Sequence, residues 1–217
     1  MNGPVVLVLG FEPFAGDTIN PSAEIANQLA GETIEAHRIV SGVLPVSFSD
    51  APLVLAELLD RHKPTLVVAL GQAGGRAGIS FERVAINLID ARIADNAGLQ
   101  PIDAEVLEGG PGAYFSTLPV KAMHAELSAH GVHSTLSLSA GSYVCNQVFY
   151  WLAHLLASEH ESARGGFIHV PWLPQQSARH PGDPDMALDT MVYAIRKAIA
   201  CALRIHDDLP ISGGTTH

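Results

Sequence analysis

The chain has 217 residues, of which 47% are hydrophobic, so it can bury one substantial core; it reads as a single domain over 1–206 with a polar tail, 207–217, expected to be a mobile end. A net charge of −10, with twelve scattered Lys and Arg, argues against a nucleic-acid surface, which needs clustered cations to displace counterions from phosphates. Cys145 and Cys201 have neither metal-site nor redox-motif spacing, and the N-terminal apolar run is too short to cross a bilayer and lacks a preceding basic segment, so a reducing, cytoplasmic location is expected.

Short apolar runs typical of doubly covered strands occur at Val5 to Leu9, Thr65 to Leu70, Ser134 to Ser139 and Phe167 to Val170. Helical patterns alternate with them. Pro21 to Leu29 opens with proline after Asn20, Ala51 to Arg61 carries Leu53, Leu55, Leu58 and Leu59, and Val120 to His130 stops at Gly131. A helix beginning near Cys145 repeats Val144, Val148, Trp151, Leu152 and Leu155, and a last one spans about Asp185 to Ile205. The alternation predicts an α/β fold with a largely parallel sheet between two layers of helices.

In such sheets ligands bind beyond the carboxyl ends of the strands, and the segments there are unusual in this chain. Gly10-Phe11-Glu12-Pro13-Phe14-Ala15-Gly16 follows the first strand, and Gly71-Gln72-Ala73-Gly74-Gly75-Arg76 follows the Thr65 strand. Cys145 sits where a strand turns into a helix, a position at which the helix dipole and unpaired amides favour thiolate. It reads equally as a small buried hydrophobe. His169 ends a strand one helix-plus-strand later, so if those two strands are neighbours the thiol and imidazole meet; alone it reads also as a structural histidine. Glu82, in Ile79 to Leu88, falls by alternation on the face of Val84, Ile86 and Leu88, where a carboxylate needs a partner. The bland alternative is an exposed edge strand with Glu82 paired to Arg83 or Arg76.

The segments Gly10 to Gly16 with Asn20-Pro21-Ser22, Gly71-Gln72-Ala73 through Glu82 to Asn87, Asp95-Asn96, Glu108 to Pro119, Ser142 to Asn146 and Gly166 to Pro171 resemble, in order, the pyroglutamyl peptidase I family. The resemblance spans about 5–177. It implies an α/β/α sandwich, a cytosolic homotetramer, and removal of N-terminal pyroglutamate from peptides without metal or cofactor. By resemblance Cys145 is the nucleophile, His169 the base and Glu82 the orienting acid, with Arg92 and the Cys145 amide as oxyanion donors. Phe11 and Phe14 match ring-contacting aromatics, and Asn20, Gln72, Ile93 and Val144 the rest of the substrate pocket. The chain departs from the family pattern at Ala15, Gly74, Ser142 and Gln175, none of them in the triad.

Two other functions are weighed. A nucleotide-binding domain would use glycine-rich loops, but neither loop fits G-x-G-x-x-G or G-x-x-x-x-G-K-[ST], and neither contains lysine. A redox-sensing relative would keep the thiol but need neither His169 nor Glu82.

Overall fold

The computed structural model of the chain describes residues 3–214. Val5–Phe11 (β1) is buried along its whole length, as a strand covered on both faces must be. Asn20 then caps Pro21–Leu29 (α1): its side chain accepts from Ser22 N at 3.1 Å, and Pro21 occupies a first-turn position that needs no N–H. Thr33–Ile34 (β2) and His37–Leu44 (β3) form an antiparallel pair absent from the sequence reading, because His37, Arg38, Ser41 and Gly42 break any apolar run. Ala51–His62 (α2) leads into Leu66–Gln72 (β4), Ile79–Glu82 (β5), Val84–Ile86 (β6) and Ala113–Phe115 (β7). Val120–Ala129 (α3), Ser134–Ser137 (β8), Val144–Ser158 (α4), Arg164–Val170 (β9), Pro174–Ser177 (α5) and Leu188–Arg204 (α6) follow.

The main sheet runs β2-β3-β1-β4-β9-β5-β8, and β6 pairs with β7 apart from it. Its pairings are parallel except β2 with β3 and β5 with β9. Alternation along β1 sends Val6 and Val8 to one face, with Ile25, Leu29, Met123 and Ile195 of α1, α3 and α6. Leu7 and Leu9 go to the other, with Leu55 and Leu59 of α2 and Phe149 and Leu152 of α4. The expected α/β architecture, a mostly parallel sheet between helical layers, is therefore present.

Two expectations are corrected. The strands preceding Cys145 and carrying His169 are not neighbours, because β5 is inserted between β8 and β9 and pairs with both. Its Ile79 and Phe81 fill the α3–α6 side of the core there, a role that periodicity cannot reveal. Ile79 to Leu88 is also not one strand. Pairing with the main sheet stops at Glu82, and within β6 it is Ala85 that is buried, while Val84 and Ile86 are half-buried. Glu82 thus shares its face with Ser80 and, across the pairing, with Phe167 and His169.

Beyond α6, Asp208 accepts from Lys121 N at 3.1 Å and Ala122 N at 2.9 Å, supplying the side-chain cap that α3 lacks at Pro119. Residues 215–217 of the expected polar tail lie outside the described residues. Among the described residues no helix is long and apolar enough to cross a membrane.

Candidate active site

The carboxyl ends of β1, β4 and β9 meet the start of α4. Tyr143 occupies the N-cap of α4 without a side-chain cap bond, so Cys145 lies in a first turn whose amides have no intrahelical partner. Two side chains fix that turn. Ser142 Oγ donates to Asp90 O at 2.8 Å, while buried Asn146 accepts from Ile86 N at 3.0 Å and donates to Ile86 O at 2.9 Å and Leu88 O at 3.0 Å. The helix start is thereby stitched to β6 and the loop after it.

Gly71 brings the thiol to the sheet. A Cβ on Gly71 would stand 2.9 Å from Cys145 Sγ and 2.7 Å from the Phe167 ring, so only glycine leaves room for that sulfur. In the parallel register Gly71 faces His169. The thiol and the imidazole thus flank the same vacant position on one sheet face.

His169 Nδ1 lies 2.7 Å from Glu82 Oε1. Glu82 is fully buried and His169 nearly so. Glu82 Oε1 also accepts from Arg76 Nη1 at 2.6 Å, and Arg76 Nη2 donates to Ser139 O at 3.1 Å. The two partners imagined for Glu82, an imidazole and Arg76, are therefore both present. Burial raises the Glu82 pKa, but the hydrogen bonds from His169 and Arg76 outweigh it and hold the carboxyl below its usual range. A carboxylate only accepts, so Nδ1 carries the imidazole proton and Nε2 keeps its lone pair.

The thiol does not behave as its helix position suggested. Burial, then the Glu82 charge, pushes Cys145 up to about 12, with Arg76 opposing. Desolvation outweighs the helix end, and the resting sulfur is a neutral thiol.

Beside it opens a small apolar pocket lined by Phe11, Phe14, Asn20, Gln72, Val144 and Cys145, together with Val46 and Tyr143. The sequence reading named the first six and missed the last two. Tyr143 could have been found as the aromatic two residues before the thiol; Val46 carries no signal. Tyr143 packs edge-on against Phe48 at 5.2 Å and donates its hydroxyl to Ala94 O at 3.0 Å. Neither Arg92 nor Ile93 lines the pocket: Arg92 is exposed and makes no side-chain hydrogen bond or ion pair with described residues, and Ile93 is half-buried. A larger, more open groove lies along β8, walled by Arg76, His133 and Ser137, and no cysteine lines it.

Other motif residues build the loops. Asn96 Nδ2 donates to Glu12 Oε1 at 2.7 Å and Pro13 O at 2.9 Å, clasping the loop after β1, and Asp95 accepts from Phe48 N at 2.7 Å in the loop after β3. Gln176, overlooked beside the exposed Gln175, is buried; it donates to Gln72 Oε1 at 2.8 Å and Asp17 Oδ2 at 2.9 Å, joining the first loop to the pocket. Gly74 lies against Trp172, whose ring a Cβ would meet at 2.1 Å, which excludes any larger residue there. Ala15 has φ 53°, a left-handed conformation that costs about 1 kcal/mol more for alanine than for glycine. Among the described residues no group of three His, Cys, Asp or Glu is placed to hold a metal ion.

A family model described as pyroglutamyl peptidase matches residues 5–205. A pyrrolidone-carboxylate peptidase from Cupriavidus taiwanensis is 53% identical over 99% of this chain and 100% of its own length. One from Klebsiella pneumoniae is 50% identical over 98% of this chain and 99% of its own. The crystal structure of pyroglutamyl peptidase I from Bacillus amyloliquefaciens is similar at a TM-score of 0.93 and 40% identity, covering 98% of this chain and 100% of that one. A mutant pyrrolidone carboxyl peptidase from Pyrococcus furiosus follows at 0.89 and 42%, covering 92% and 98%. With its sequence matched nearly end to end and its fold shared, the chain belongs to the pyroglutamyl peptidase family, a family of cysteine peptidases.

Proposed function

We propose that the chain removes N-terminal pyroglutamyl residues from peptides by acyl transfer through a thioester, with Cys145 as nucleophile, His169 as base and Glu82 as orienting acid. The observation that carries this reading is the 2.7 Å contact of His169 Nδ1 with buried Glu82, beside the Gly71 gap that seats Cys145 at the mouth of an apolar pocket.

Because burial favours the neutral thiol, its proton leaves as the sulfur attacks. His169 Nε2 takes it while Cys145 Sγ bonds to the pyroglutamyl carbonyl carbon. Glu82 holds the Nδ1–H tautomer and stabilises the imidazolium. The developing oxyanion meets the first-turn amides of α4, including that of Cys145, and by family resemblance Arg92 is the second donor. His169 then gives its proton to the leaving amine, the C–N bond breaks, and a peptide with a free amino terminus departs. Water, deprotonated by His169, cleaves the thioester to pyroglutamic acid and restores the thiol.

Phe11, Phe14 and Val144 offer apolar contact to the lactam ring, and Asn20 and Gln72 offer amides to its edge; Ile93 joins the pocket by family resemblance alone. No basic or acidic side chain lines the pocket, which suits an uncharged lactam and leaves an ammonium unsolvated. By family resemblance the reading extends to a cytoplasmic homotetramer that needs no metal or cofactor. The test is turnover of a fluorogenic pyroglutamyl amide under reducing conditions. Wild type is expected to be active and Cys145→Ala to lose at least about 10³-fold in kcat; an inactive wild type overturns the function, and an active mutant overturns the nucleophile.

A further inference from the structure

Arg76 belongs to the glycine-rich loop after β4 and plays no part in the lactam pocket. Its guanidinium nevertheless reaches the buried end of the Cys145–His169–Glu82 array. We infer that Arg76 is a positioning residue of this site, holding the Glu82 carboxylate ionised and aimed at His169 by sharing its Oε1, and tying it to the segment that leads into α4.

The inference rests on the roles just proposed for Cys145, His169 and Glu82, and on three features of the geometry. First, Glu82 has no solvent exposure, and its Oε2 has no hydrogen-bond partner. A carboxylate so placed, with a neutral imidazole as its only donor, would tend to take up a proton and cease to orient Nδ1–H. The Arg76 charge at 2.6 Å opposes that. Second, the two donors converge on one oxygen, so Arg76 and His169 together hold the carboxylate rotamer. Third, the other arm of the guanidinium donates to Ser139 O at 3.1 Å, between β8 and the Cys145 turn. One planar fork therefore couples the acid to the chain that delivers the nucleophile, a geometry an ammonium cannot reproduce.

The ionisable groups facing Glu82 are His169 from β9, Arg76 from the loop after β4 and Cys145 from α4. Ser137, its register partner on β8, directs its hydroxyl to Ser139 O at 3.1 Å. Arg83, next in sequence, lines a separate groove with Phe115 and Thr117. Arg76 is thus the one fixed cation against this carboxylate among the described residues.

The test is the pH dependence of kcat and KM for the pyroglutamyl amide in Arg76→Met and Arg76→Lys, with the alkylation rate of Cys145 by iodoacetamide measured in a Cys201→Ser background. In Arg76→Met, kcat at neutral pH is expected to fall about tenfold or more, with KM within about twofold because the lactam pocket is intact. The acid limb of kcat should move up by about one pH unit, since Glu82 then protonates more readily; Arg76 is itself a third exposed, which favours the low end of charge effects. Alkylation should slow, because a cation that favours thiolate is gone. Arg76→Lys should restore the position of the acid limb but only part of the rate. Should Arg76→Met fail to fold, Arg76→Gln carries the same expectations. An unmoved acid limb and unchanged alkylation in a folded variant would overturn the role of Arg76 while leaving the proposed function standing. An inactive wild type would instead remove that function and the inference together.

Discussion

Cys145 packs against the core between the sheet and helices α2 and α4, whereas Cys201 is buried in the core on the opposite face, among residues of α1, α3 and α6. Burial pushes both thiols up, to about 12 for Cys145 and about 11 for Cys201. Acidity therefore does not distinguish the two thiols of this protein. Neighbours do. Cys145 has a glycine that leaves its sulfur room, on the strand whose register partner is His169, and a pocket beside it. Cys201, only 1% exposed, has apolar packing around it and carboxylates at Glu126 and Asp208 that merely oppose its ionisation.

The sharpest way to break this contrast is to remove the charge that distinguishes the Cys145 side. Glu82→Gln keeps the shape but can present its amide N–H to His169, favouring the wrong tautomer, so kcat is expected to fall about 10³-fold or more. The same variant reports on stability. The folded-state pKa of Glu82 lies below that of a free glutamate, so its ionised form contributes stability that is full above the free value and is lost as pH falls through the folded one. Wild type should accordingly lead Glu82→Gln in unfolding temperature by more at pH 7 than at pH 3. A lead that grew on acidification would contradict a partnered, ionised Glu82.

A smaller effect is expected from Gly71→Ala. The new methyl would press on Phe167, whose ring is hemmed in by Phe11, Phe149 and His169, and the sulfur would have to give way. A shift of about 1 Å corresponds to a loss of about 10²-fold, read in kcat with the overall fold retained by circular dichroism. Activity near wild type would mean that the close approach at Gly71 does not seat the thiol. The smallest effect belongs to the other side of the comparison. Cys201→Ser should leave turnover within about twofold while costing about 1 kcal/mol of stability for a hydroxyl in an apolar core. A large loss of turnover in a well-folded protein would erase the distinction between the two regions.

Much of the layered fold was legible because periodicity reports burial directly: Val5 to Leu9 in β1 and Leu66 to Leu70 in β4 are continuous apolar runs, and α6 shows its inner stripe at Met191, Val192, Ile195 and Ile199. The strand order was not legible. Pairing between β5 and β9 joins residues far apart in the chain, and nothing in Ile79 to Leu88 announces that its first half enters one sheet and its second half another. The reason offered for suspecting Glu82, a shared face with Val84, Ile86 and Leu88, did not survive, although the residue is buried. Arg92 and Ile93 lie outside the pocket because their loop is positioned by contacts such as Tyr143 to Ala94, which no local pattern encodes.

By itself the sequence determined the alternation of strands and helices, the glycine-rich loops at the strand ends, and the residue types available for acyl transfer, because each is a property of neighbours in the chain. Only the tertiary structure decided that β5 stands between β8 and β9, that Gly71 leaves room for the Cys145 sulfur on the strand beside His169, and that Arg76 bonds Glu82 and Gln176 bonds Gln72. Those outcomes depend on which distant segments exclude water together, and a buried charge finds its partners only after that packing is complete.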